Sequence, residues 1–136
     1  MMRMRTLPVI FVLLLASSAA YSQSPVEEFS FQIKDFKMDH QTQTNNLNIS
    51  ISYRYIANIQ KPDYPDFRWL AKDVETLLSN YPNKDDYWEI VNKQITSLLL
   101  NKYRGLTSVT CEIKVDPSSL IPYTRTSRVT RTRKRT

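Results

Sequence analysis

Leu47, Ile49, Ile51, Tyr53 and Tyr55 stand at every second position, and Asn48, Ser50, Ser52 and Arg54 fill the places between them. A helix cannot sort such a run onto two faces. A pleated strand does, because successive side chains point to opposite sides. The stretch therefore predicts a half-buried strand with one face under an apolar layer and the other in water. Any fold for this chain must supply that layer.

The same period recurs. Phe29, Phe31 and Ile33 alternate with Ser30, Gln32 and Lys34, and the phase slips near Asp35, where Phe36 and Met38 take over. Such a slip predicts a bulge or bend. Asp39 to Asn46 is wholly polar and predicts a hairpin loop, with His40 as a loop residue. Val109, Cys111, Ile113 and Val115 give a third strand, and Tyr123 to Arg131 a fourth, more polar one.

The covering layer lies between strands two and three. Asn58 to Asp66, with Pro62 and Pro65, reads as a loop, and Asp66 suits a helix N-cap. Phe67, Leu70, Ala71, Val74, Leu77 and Leu78 then follow helical spacing. Ser79 to Lys84, with Pro82, ends that helix, and Asp85 or Asp86 is the expected cap of a second. Trp88, Val91, Ile95, Leu98 and Leu99 supply its apolar stripe. Lys102 and Arg104 stand where cations suit the helix dipole, and Gly105, the only glycine, follows as the expected left-handed residue. The order is ββααββ: an α+β domain with a four-stranded antiparallel sheet and two helices on one face. Its two open edges would be removed by joining subunits into a larger barrel.

The N-terminus reads as a secretory signal peptide over residues 1–22. Arg3 and Arg5 precede an apolar run from Leu7 to Ala16, then the small residues Ser17 to Ala20, with cleavage after Ala20 or Ser22. The run is too short to span a bilayer, which takes about 20 residues. An exported, periplasmic or secreted domain follows over 23–131, with no membrane span after cleavage and a basic tail over 132–136. One cysteine, Cys111, excludes an intramolecular disulfide, and its place in a strand predicts core packing. Residues 24–124 carry eleven Lys and Arg against thirteen Asp and Glu. The basic balance thus comes from Arg125, Arg128, Arg131, Arg133, Lys134 and Arg135, which form either a polyanion-binding segment or a solubilising end.

One histidine and one cysteine give no metal centre and no catalytic triad, and one glycine excludes a glycine-rich phosphate loop. No cofactor is expected. Asn48-Ile49-Ser50 is a glycosylation sequon lying within a strand.

Three segments carry a resemblance: Asp66-Phe67-Arg68-Trp69-Leu70, Tyr87-Trp88-Glu89-Ile90-Val91, and Lys114-Val115-Asp116-Pro117 running on to Pro122. In order and spacing the chain resembles the tunnelling fold, in its dihydroneopterin aldolase branch, from about Phe29 to Arg131. The resemblance implies a homo-oligomer, a tetramer or octamer, and a pterin or purine-like ligand. It puts Glu89 at the ring-anchoring glutamate, whose carboxylate can accept two parallel hydrogen bonds. It also removes chemistry. Phe67 stands where those enzymes have a tyrosine, Lys114 is displaced from the lysine position, and Asp39 to Asn46 lacks the glycine and glutamate of their first hairpin. Glu89 has a plainer reading as an acid favoured in a first helical turn. Phe67, Trp69 and Trp88 either wall a pocket or pack in the core and at subunit contacts. The expected function is a non-catalytic binding and assembly domain. The alternatives are a divergent enzyme with Lys114 as base, and a polyanion-binding surface protein.

Overall fold

The computed structural model of the chain describes residues 25–135. The expected signal peptide, residues 1–22, lies outside them. The strands are β1 (Glu28–His40), β2 (Gln43–Tyr55), β3 (Leu106–Val115) and β4 (Arg125–Thr132), and the helices are α1 (Phe67–Ser79) and α2 (Trp88–Lys102). A 3-10 turn, Lys61–Asp63, interrupts the loop before α1. The sheet is antiparallel in the order β1-β2-β3-β4, so β1 and β4 are its edges. This is the expected ββααββ architecture. No helix among the described residues is long and apolar enough to cross a membrane.

The alternation in β2 does what the pattern demands. Leu47, Ile49, Ile51 and Tyr53 are buried beneath the helices, together with Val109, Cys111, Ile113 and Val115 of β3. Leu70, Val74 and Leu78 of α1 and Val91, Ile95 and Leu99 of α2 close the core from above. Asp35 is the bulge: its φ is 55° and the β1–β2 register shifts between Ile33 and Phe36. Asp66 caps α1, its carboxylate accepting from the Arg68 amide at 3.0 Å.

Local expectations are corrected at the first hairpin, the start of α2, Gly105 and the fourth strand. The first hairpin is not a loop from Asp39 to Asn46. Strand pairing continues to His40↔Gln43, and only Gln41 and Thr42 turn, with φ of 53° and 64°. His40 is accordingly a strand residue, 1% exposed. The polar run stays paired because the buried Asn45 amide donates to the carbonyls of Met38, His40 and Gln43, making the contacts a loop would have left to water.

Asp85 and Asp86 do not cap α2; the N-cap is Tyr87, which makes no side-chain cap bond. The Asp86 carboxylate is taken by the Tyr81 hydroxyl at 2.6 Å and the Asn83 amide at 2.8 Å. Gly105 has no positive φ. Its hydrogen is needed for contact, since a Cβ there would sit 2.7 Å from the Asp63 carbonyl oxygen. Lys102 stands in the last turn of α2, as expected, with Arg104 just beyond it. Lys102 pairs with Asp73 at 2.9 Å and Arg104 is exposed. A second cation reaches that helix end: Arg133, whose guanidinium donates to the carbonyls of Leu100, Tyr103 and Leu106. Strand four accordingly runs two residues later than predicted at its start and one at its end.

Candidate functional site

Two ends of the domain matter. At the hairpin end, β1 delivers His40, and the chain after α1 returns to start α2 beside it. The His40 Nε2–H donates to the Asp86 carbonyl at 2.7 Å. Its ring lies against Trp88 at 4.8 Å between centroids and against Tyr81 at 5.7 Å. Burial and the bond to Asp86 push the Tyr81 hydroxyl up to about 12, so it stays protonated and donating. Trp88 is 7% exposed and belongs to the core. Glu89, the next residue, is in the first turn of α2 and is exposed.

Lys114 is near the same end but on the other side of the sheet. It pairs with Asn48 and Thr126, and its neighbours Ile113 and Val115 are the buried ones. The one-residue displacement therefore puts the amine on the open face, away from the helix layer that carries Glu89. Asp116 next to it holds Asn46 at 2.6 Å and Asn48 at 3.4 Å through their amide nitrogens. The sequon asparagine is thus engaged within the fold.

Phe67 sits at the opposite end. Its ring packs on Phe29 and Phe31 at 5.4 and 5.9 Å, and these in turn meet Tyr53. Phe31 and His40 are nine strand positions apart, a distance of about 30 Å. Phe67 therefore does not meet Trp88 or Glu89 within one chain. Phe29 and Phe67 are 39% and 41% exposed, an aromatic cluster left open beside the β1 edge. Phe67 also borders a shallow groove of ≈ 450 Å³ along α1 with Arg68, Lys72 and Glu75.

The six basic residues of the C-terminal segment separate. Arg125 donates to the Asp116 carbonyl, Arg131 to Thr96 Oγ1 and the Lys93 carbonyl, and Arg133 to the end of α2. Arg128, Lys134 and Arg135 are exposed. Among the described residues, no group of three or more His, Cys, Asp or Glu side chains is placed to hold a metal ion.

Asn92 and Thr96 escaped the sequence reading. Both are buried on the inner stripe of α2, and the Asn92 amide donates to the carbonyls of Cys111 and Ser127 at 3.0 Å each. The available signal was their spacing from Trp88, at four and eight residues, among apolar positions.

Solved structures share this architecture. A dihydroneopterin aldolase from Burkholderia thailendensis, crystallised bound to guanine, superposes with a TM-score of 0.62 over 80% of this chain and 93% of its own, at 10% identity. A Vibrio cholerae protein assigned as a dihydroneopterin aldolase gives 0.58 over 77% and 98%, at 9% identity. The chain therefore shares the fold of these two proteins. No protein-family model matches the sequence, and no curated protein matches it.

Proposed function

We propose that the chain is an exported binding and assembly domain that keeps the aldolase fold and has lost the aldolase reaction. One observation carries the reading: the positions that the resemblance makes functional are chemically changed and lie far apart. Phe67 has a ring and no hydroxyl, so it can stack or pack but cannot move a proton. Lys114 is on the face away from Glu89. General acid–base catalysis needs a titratable group held within hydrogen-bonding reach of the reacting atom, and among the described residues Lys114 and Glu89 do not meet around one pocket of a single copy. Glu89 and the Phe67 cluster belong to one ligand site only when a second copy brings its own cluster to the first copy's α2. The open β1 and β4 edges and the exposed Phe29 and Phe67 rings favour such an assembly.

Thermal shift of the mature protein with neopterin, guanine and xanthine tests binding. A shift with at least one ring, lost in Glu89→Ala, is expected. No shift with any ring would remove the ligand from the proposal and leave assembly alone. Turnover of dihydroneopterin, measured by product formation, is expected to be absent. Turnover that falls on Lys114→Ala would instead make the protein an enzyme.

A further inference from the structure

The ends of α1 and α2 away from the first hairpin enclose a groove that Phe67, Trp88, Glu89 and Lys114 do not line. Its volume is ≈ 490 Å³, and its walls include Ile56, Asp63, Tyr64, Trp69, Arg104 and Gly105. A second hollow of ≈ 220 Å³ shares Ile56 and Tyr64 with it, so the two adjoin and the recess is elongated.

Three features of the recess point to a ligand. Trp69 is 62% exposed, although the buried face of α1 is Leu70, Val74 and Leu78 and makes no use of it. Large exposed aromatics beside a concavity are characteristic of binding sites. Next, the only glycine of the chain is used here. Gly105 lets the Lys61–Asp63 turn close onto the start of β3, where any Cβ would meet the Asp63 oxygen at 2.7 Å and Ile59 Cδ1 at 3.1 Å. Last, the charged groups of the walls are of both signs and partly neutralised within the chain. Asp66 is bound by Arg68, and Lys102 by Asp73.

A matching ligand has a flat apolar face for the indole and a rim of donors and acceptors for Asp63 and Arg104. It carries no net charge and is long enough to continue past Tyr64. A single heterocycle lacks the length. A peptide added as a β-strand needs a sheet edge, and no residue of β1 or β4 lines the groove; a proline-rich peptide, which docks on aromatic grooves instead, is the competitor carried into the test. We infer that the groove is a carbohydrate site that takes a short chain of neutral sugar rings, with the first ring stacked on Trp69.

The chain has two tryptophans, and only Trp69 is open to solvent. Acrylamide quenching therefore reports on the groove. Maltotetraose, cellotetraose and chitotetraose are titrated separately, beside a proline-rich peptide and guanine. At least one sugar is expected to shield Trp69. Calorimetry with that sugar should show binding abolished in Trp69→Ala, weakened about tenfold in Gly105→Ala and unchanged in Glu89→Ala. Circular dichroism confirms that each variant folds. Four results overturn the inference: no sugar shields Trp69, sugar binding survives Trp69→Ala, the peptide or guanine binds in place of sugar, or Trp69 becomes shielded merely on raising protein concentration. The last would assign the groove to a second copy of the chain.

Discussion

Cys111 and Asn92 lie one above the other between the sheet and α2, and each carries a prediction. Cys111 is fully buried, and burial, with a smaller push from Glu112, raises its thiol to about 12. The thiolate is the reactive form, so the native protein should resist thiol-specific reagents at pH 8. Labelling should follow the rate of global opening, and rapid native labelling would contradict this packing. Asn92 is the polar counterpart. It occupies a core position because its amide hydrogens satisfy two carbonyls, those of Cys111 and Ser127. Asn92→Ala withdraws both donors and should cost about 2 kcal/mol or more in urea unfolding, the penalty for buried acceptors left unpaired plus a small cavity. The cysteine was legible as core from its place in an alternating strand. The asparagine was not, since a polar residue on an apolar stripe looks like an interruption until its partners are known.

Elements are held at their ends, and there the sequence was only partly readable. Asp66 was legible because the capping residue precedes its helix and acts on the nearest amides. Hydrogen bonds from the Arg68 side chain, then from its backbone N–H, hold the Asp66 carboxyl down at about 2. Its folded value is below the ordinary 3.8, so the cap's contribution is complete above that ordinary value and is lost as pH falls through about 2. An NMR titration should show the Arg68 amide moving with a midpoint near 2, and a midpoint near 4 would mean the cap is not formed. The first hairpin was illegible for a related reason. A two-residue turn with both φ positive usually announces itself with Asn-Gly or Asp-Gly, and Gln41-Thr42 carries no such mark. The Arg133 clamp was hidden too, because its partners are carbonyls some thirty residues away in the chain. Deleting residues 134–136 should leave stability unchanged, whereas deleting 133–136 should cost about 2 kcal/mol through the lost charge-assisted bonds. Thermal unfolding of the two truncations separates a solvated tail from an anchored one. Equal melting temperatures would show that the clamp contributes nothing.

At the scale of the whole molecule the two sheet edges, β1 and β4, govern how copies of the chain can meet. Exposed edges invite pairing unless they are blunted, and here they are charged unequally. β4 presents Arg125, Arg128 and Arg131 with no acid, while β1 carries Glu28, Asp35 and Asp39 against Lys34 and Lys37. Two β4 edges brought together would stack guanidinium groups, whereas β4 against β1 sets opposite charges face to face. The proposed assembly is therefore expected to join head to tail, and a repeated head-to-tail contact closes into a ring or continues as a filament. Phe29 and Phe67 stand beside the β1 edge and would be covered by the same contact. Charge and aromatic burial predict different responses to salt, so the driving term can be read directly. Charges separated by solvent are screened within about 10 Å at 0.1 M salt, whereas aromatic burial is not. Sedimentation equilibrium should show association that weakens between 0.05 and 0.5 M NaCl if the edges are held chiefly by charge. It should stay constant with salt, and fall in Phe29→Ser, if the aromatic cluster dominates. A monomer at every salt concentration, in the native protein and in Phe29→Ser alike, would mean that both edges remain open. The proposed ring-binding site would then have to be completed within one chain, and the distance between Phe67 and Glu89 forbids that.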